Sequence, residues 1–164
     1  MKKLDIKTIA LNAIIAAAYA ALTLVLTPIS YGSIQMRISE IMVFFAFYNR
    51  KYIPGLVLGC FIANLTSPLG AWDICFGTFA TLIAVICMWK VKNRYLGALL
   101  GGLVNGVIVG AELTIVFKEL PFYLNALYVF IGEFAVLVIG AFVFSVIEKN
   151  STVMKVLDDQ KVTA

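Results

Sequence analysis

The 164-residue sequence contains no histidine, so it lacks both the commonest metal ligand and the usual general base near neutral pH. Its three cysteines, Cys60, Cys75 and Cys87, lie far apart in apolar runs, a spacing that fits neither a disulfide framework nor a zinc site. The polar segments are short and carry no phosphate-binding loop. We therefore expect no metal site, no cofactor and no covalent chemistry.

Charged residues are also scarce, at 13% of the chain, whereas 62% of the residues are hydrophobic. A soluble domain typically has about 25% charged and about 45–50% apolar residues. A soluble domain of this size cannot bury so many apolar side chains, and intrinsic disorder requires low hydrophobicity. The sequence therefore predicts a membrane protein. Its net charge of +4 then reflects the loops between spans rather than binding to nucleic acid.

Six apolar runs predict an all-α membrane protein, a bundle of six transmembrane helices. The runs cover residues 8–26, 37–48 (or 34–48), 53–65, 72–89, 95–117 and 122–147. The second run is short for a complete crossing, so whether it spans the membrane stays open at this point. We expect residues 1–148 to form a single transmembrane domain and residues 149–164 a short cytoplasmic tail.

The distribution of charge predicts the orientation of this bundle. If both termini are cytoplasmic, 11 of the 13 basic residues lie on the inner side, as the positive-inside rule requires. The inner basic residues are Lys2, Lys3, Lys7, Arg50, Lys51, Lys90, Lys92, Arg94, Lys149, Lys155 and Lys161, accompanied by Asp5, Glu148, Asp158 and Asp159. The other five acids, Glu40, Asp73, Glu112, Glu119 and Glu133, fall within the membrane or at its outer edge. An acidic outer half suits a cationic or hydrogen-donating solute.

Glu112 and Glu133 are the central candidates for a binding pocket. At 1.5 Å per residue, Glu112 lies about 9 Å from the outer end of the fifth span and Glu133 about 18 Å from that of the sixth. Asn105 shares the helical face of Glu112. Such groups face a bundle interior, where they either line a pocket or form buried hydrogen bonds as protonated acids. Further candidates at the same level are Arg37 and Glu40, which could instead form a local ion pair, and Asn64, Trp72, Asp73 and Asn125.

Small residues at four-residue spacing mark surfaces where helices approach closely in lipid. In the third and fifth spans, glycines at this spacing favour packing within the chain. In the first span, the alanine stripe is longer and is an equally good candidate for contact with a second protein; its members include Ala13, Ala17, Ala20 and Ala21.

Several motifs together resemble the QueT family. They are QMRISE at 35–40, GCFIANL at 59–65, SPLG at 67–70, Asp73, and FGT at 76–78. The resemblance covers nearly the whole chain and is most specific from Arg37 to Thr78.

The resemblance implies a substrate-binding S component of an energy-coupling factor (ECF) transporter, with a six-helix fold in a bacterial cell membrane. The implied substrate is a queuosine precursor, a 7-deazaguanine base captured from outside. The implied partners are a transmembrane coupling subunit and two ATP-hydrolysing subunits. Small residues on the first helix contact the coupling subunit in such proteins, which corresponds here to Ala13, Ala17 and Ala21.

Three alternatives to this interpretation remain open from the sequence. The chain is an S component for another small molecule such as a vitamin, an intramembrane enzyme that uses Glu112 and Glu133 as a carboxylate pair, or a structural or sensory subunit without a ligand.

Overall fold

The computed structural model describes residues 6–31 and 35–157. Six charged residues used in the orientation argument lie outside these ranges: Lys2, Lys3, Asp5, Asp158, Asp159 and Lys161. Most of the expected cytoplasmic tail, from residue 158 onward, lies outside them as well.

The described residues form helices and no strand. In chain order the α-helices are α1 (Ile6–Val25), α2 (Thr27–Ser30), α3 (Phe44–Tyr48), α4 (Ile53–Asn64), α5 (Ala71–Lys90), α6 (Arg94–Phe117), α7 (Phe122–Ile147) and α8 (Ser151–Leu157). Short 3-10 helices, Ile38–Val43 and Arg50–Tyr52, precede α3 and α4. Four helices, α1, α5, α6 and α7, are long and apolar enough to cross a membrane. The all-α membrane class is thus confirmed for the described residues, whereas six spans and cytoplasmic termini stay predictions.

The second predicted span is where the structure departs furthest from a regular bundle. Residues 38–48 form a 3-10 helix that continues into α3, an apolar segment of 11 residues in place of a long helix. This segment packs against α1, α4, α5, α6 and α7, and so lies in the middle of the bundle. Ser39, Glu40 and Phe44 are almost completely buried there. The segment therefore brings polar groups to the centre of the protein.

The small residues pack within the chain, as their spacing predicts. A Cβ atom added to Gly59 of α4 would lie 2.9 Å from the main-chain oxygen of Ala16 in α1. One added to Gly110 of α6 would lie 2.6 Å from the Cα of Ala126 in α7. Both glycines therefore allow two backbones to approach more closely than any side chain would permit.

The two ends of the bundle differ in chemistry. Arg50, Lys51, Lys90 and Arg94 lie near one end, called the basic end below, where Arg94 pairs with Glu148. Helix α8 packs against this end, as the burial of its Leu157 in the same apolar core as Tyr52 shows. The opposite end includes the loops 65–70 and 118–121 and the helix α2 with Tyr31.

Candidate functional site

Arg37 is the only basic residue buried within the described part of the bundle, with 3% of its surface exposed. Its Nη2 lies 3.4 Å from Oδ1 of Asp73, which is completely buried at the start of α5. Its guanidinium carbon lies 5.3 Å from the centre of the Tyr31 ring, within the range of a cation–π interaction. A third contact joins its Nη1 to the sulfur of Cys60 at 3.8 Å. Arg37 thus ties the segment before the central 3-10 helix to α4 and α5.

Asp73 is held by groups from the end of α4 and the following loop. The Ser67 hydroxyl donates a hydrogen bond to its carboxylate. The Asn64 side-chain amide donates to its main-chain oxygen at 2.8 Å. The carboxyl of Glu112, which reaches in from α6, contacts that of Asp73. Two acidic groups therefore meet at one place beside a single guanidinium.

Glu40 interacts electrostatically with Arg37 and is bound by side chains of α1 and α5. The Tyr19 hydroxyl of α1 donates to Oε1 of Glu40, and the Thr81 hydroxyl of α5 donates to the same oxygen at 3.2 Å. The spacing of Arg37 and Glu40 permits a local ion pair between them. This prediction is wrong, because Arg37 pairs with Asp73 instead. Arg37 precedes the 3-10 helix in an extended conformation, so the two residues do not share a helical face.

Six buried residues make up what we call the polar cluster: Arg37, Glu40, Asn64, Asp73, Glu112 and Glu133. Each is at most 4% exposed. Glu133 enters from α7 and interacts electrostatically with Glu40 and Arg37. The polar cluster therefore joins α4, α5, α6, α7 and the central segment in one buried region with four carboxyl groups and one guanidinium.

A cavity of about 230 Å³ opens at the end of the bundle opposite the basic end. It is lined by Tyr31, Gln35, Pro68, Leu69, Leu113, Phe117, Glu119, Leu120, Asn125 and Tyr128. Tyr31 connects the cavity with the polar cluster, since it lines the cavity and its ring also contacts Arg37. Burial raises the pKa of the Tyr31 phenol, so its hydroxyl stays protonated and donates to the Ala63 carbonyl at 2.8 Å. The arrangement can take a small molecule from this end and offer it buried acidic groups.

Comparison with known proteins identifies the family. The family model described as QueT transporter matches residues 9–149 of this chain. The chain belongs to the QueT transporter family. It is 36% identical, over 170 aligned positions, to a protein of Lactococcus lactis subsp. cremoris (strain MG1363) named Queuosine precursor transporter QueT. That alignment covers 92% of this chain and 97% of the relative. No solved structure matches the chain.

Membership of the QueT transporter family confirms the resemblance found in the motifs and makes the chain a multi-pass membrane transport protein. Four of the six residues of the polar cluster come from those motifs. Residues 35–40 contribute Arg37 and Glu40, residues 59–65 contribute Asn64, and Asp73 follows. The family is one of transporters, which argues against the intramembrane enzyme that the carboxyl pair of Glu112 and Glu133 suggested.

Three further candidates from the sequence lie outside the polar cluster in this QueT-family protein. Asn125 lines the cavity, where its amide donates to Thr114 Oγ1 at 2.9 Å. Asn105 is buried but donates to the Gly101 carbonyl of its own helix at 3.1 Å. Trp72 is 44% exposed and packs against Phe76, so the structure does not bring it into either the cavity or the polar cluster.

The alanine stripe of α1 is largely free of intramolecular contact. Ala13, Ala17 and Ala21 are exposed, as a contact with a second protein requires. Ala20, by contrast, is only 5% exposed. It lies at the edge of the stripe nearest Ala16, where α1 packs against α4. The candidate contact surface therefore consists of three of the four predicted alanines.

Sequence reasoning missed several residues that hold the polar cluster together. They are Tyr19, Tyr31 and Thr81. Tyr19 carried the clearest signal, since a tyrosine in the middle of an apolar span needs a buried hydrogen-bond partner. Thr81 gave no such signal, because a threonine hydroxyl also bonds to its own helix.

Proposed function

We propose that this chain is the substrate-binding subunit of an ATP-driven ECF-type importer in a bacterial plasma membrane, and that it captures a queuosine precursor, a 7-deazaguanine base. The observation that carries the proposal is the polar cluster beneath a cavity at one end of a QueT-family protein. The name of the Lactococcus relative supports the substrate. The positive-inside rule assigns the basic end to the cytoplasm, so the cavity faces outward.

Substrate capture is tested by calorimetric titration of a 7-deazaguanine into the purified protein in detergent or nanodiscs. We expect saturable binding by the wild-type chain. Glu112→Gln should weaken it, because Glu112 lies in the polar cluster and Gln replaces one of its carboxyl oxygens with an NH2 group that cannot accept a hydrogen bond. Glu148→Gln at the basic end is the matched control and should bind like the wild type. Failure of the wild-type protein to bind any 7-deazaguanine would reject the proposed substrate.

Partner coupling is tested separately, by uptake of labelled substrate into cells that also express a coupling subunit and the two ATPase subunits. We expect Ala17→Leu, in the middle of the exposed stripe of α1, to abolish uptake while leaving substrate binding intact. Ala71→Leu supplies the control, because Ala71 is an exposed alanine at the start of α5. Uptake that needs no ATPase subunit would contradict the ECF mechanism without affecting the capture of substrate.

A further inference from the structure

Arg50 lies at the basic end, and its guanidinium carbon is 5.7 Å from the centre of the Trp89 ring, within the range of a cation–π interaction. The two residues come from different elements, the 3-10 helix Arg50–Tyr52 and the last turn of α5. Because the N–H groups of a guanidinium lie in its plane, stacking on a ring leaves them able to donate. Trp89 therefore holds Arg50 in place and leaves its hydrogen-bond donors for another group.

Trp89 lies at the depth where lipid headgroups are found. Trp72 and Trp89 stand at opposite ends of α5, and their side chains are 44% and 39% exposed. The helix separates them by about 26 Å, close to the roughly 30 Å thickness of the hydrocarbon core of a bilayer. Tryptophan is enriched at both membrane interfaces. Arg50, stacked on Trp89, is therefore level with the headgroups of one leaflet.

Two lysines add positive charge beside this stacked pair. Lys90 is the last residue of α5 and Lys92 lies in the loop before α6, and both are exposed, as is Arg50. We call Arg50, Lys90 and Lys92 the cationic patch. In the part of the chain that the structure describes, none of them pairs with an acid, whereas Arg94 at the same end pairs with Glu148. The cationic patch is therefore complementary to an anion.

We propose that the cationic patch binds the headgroup of an anionic phospholipid, such as phosphatidylglycerol, in the leaflet at the basic end. The phosphate accepts hydrogen bonds from the edge of the Arg50 guanidinium, a geometry that suits arginine. Lys90 and Lys92 attract the net negative charge of the headgroup over a short distance. A lipid fits better than free phosphate, because the exposed Trp89 ring offers apolar surface at headgroup depth that only a lipid covers.

The test uses Trp89 as its reporter. The Trp72→Phe protein, whose only tryptophan is Trp89, is purified in an uncharged detergent. It is titrated with dioctanoyl phosphatidylglycerol or with dioctanoyl phosphatidylcholine, which carries no net charge, while the fluorescence of Trp89 is measured. We expect the anionic lipid to bind at least about tenfold more tightly, because each cation near a lipid surface raises the affinity for anionic lipid several-fold.

In the same background, Arg50→Gln/Lys90→Gln should bring the affinity for phosphatidylglycerol to within about threefold of that for phosphatidylcholine. Lys118→Gln is the matched control, because Lys118 is an exposed cation at the opposite end of the bundle, and it should keep the full preference. Thermal unfolding of each variant shows whether it has folded. The comparison of the two lipids needs no change in the cationic patch, so misfolding of the double variant would not remove the test.

Equal affinity for the two lipids would overturn the proposal. A preference that Arg50→Gln/Lys90→Gln retains would overturn the placement of the lipid at the cationic patch. Inorganic phosphate that displaces phosphatidylglycerol at equal concentration would overturn the assignment to a lipid. A preference that appears only after removal of residues 158–164, which include Asp158 and Asp159, would show that the end of the chain occupies the patch instead. None of these results bears on the capture of substrate.

Discussion

The two ion pairs of this protein should respond very differently to the loss of their arginine. The Arg37–Asp73 pair is 3% and 0% exposed, and the Arg94–Glu148 pair at the basic end is 22% and 30% exposed. We compare Arg37→Met with Arg94→Met, since methionine retains much of the apolar stem and removes only the charged group. The difference between the two variants then measures the effect of burial on an ion pair.

The structure sets the magnitude for each variant. Removing one partner of a buried ion pair costs about 3–5 kcal/mol, because it leaves a buried charge uncompensated. Arg37→Met also loses the contact with the Tyr31 ring, so we expect a loss of about 4 kcal/mol. Arg94→Met leaves Glu148 with a hydrogen bond from the Tyr48 hydroxyl at 2.7 Å. We therefore expect at most about 1 kcal/mol there.

The free energy of unfolding is measured by titration with sodium dodecyl sulfate in mixed micelles, followed by the fluorescence of Trp72 and Trp89. The double variant Arg37→Met/Asp73→Asn removes the unpaired carboxylate and should recover part of the loss, which a double-mutant cycle detects. If Arg37→Met costs no more than Arg94→Met, Arg37 does not hold the acidic groups of the polar cluster in place, and the electrostatic argument fails.

Three further predictions concern single contacts, and the same titration measures each. Gly110→Ala should destabilise the protein by about 1–3 kcal/mol, because the new methyl group would lie 2.6 Å from the backbone of α7. Gly102→Ala should cost less, since its methyl group meets only side-chain atoms, at 3.1 Å or more. Equal losses of stability in the two variants would contradict this geometry. Asn93→Ala should lower the free energy of unfolding by about 1 kcal/mol, because it removes the cap that accepts two main-chain N–H groups of α6. Asn93→Asp keeps a capping oxygen and should have the stability of the wild type. Tyr19→Phe should cost about 1–3 kcal/mol, because Glu40 loses a buried donor; an unchanged free energy would show that this hydrogen bond is replaced.

The long helices and their packing could be predicted from local pattern. Hydropathy located the four helices that can cross a membrane to within a few residues. The glycine spacing of α6 correctly indicated close packing, which the contact of Gly110 with α7 shows. Burial of Glu112 and Glu133 followed from the cost of exposing a carboxyl group to lipid. Each of these properties depends on a residue and its near neighbours in sequence.

The partners within the polar cluster could not be predicted in the same way. Arg37 and Asp73 are 36 positions apart, and their pairing depends on how the central segment packs against α5. Trp72 and Asp73 are consecutive, so they lie about 100° apart around α5 and only one can face the interior. Asp73 lies in the first turn of α5, beside the loop 65–70, where a carboxyl group can also face water, so the lipid argument that applies to Glu112 and Glu133 does not decide between the two. The structure places Asp73 inside. Ala20 and Ala21 show the same limit. They are consecutive alanines of α1, yet Ala20 is buried and Ala21 is exposed.

The short central segment also determines from which end the polar cluster can be reached. Its first part carries Ser39 and Glu40, whereas its second part, α3, is largely aromatic and packs toward the basic end. The Phe44 ring stacks on that of Phe144 at 5.6 Å, and Tyr48 stacks on the same ring at 5.7 Å. On the proposed function, a solute that binds in the polar cluster has the cavity on one side and a packed aromatic layer on the other. Release through the basic end requires this layer to repack or the whole protein to reorient.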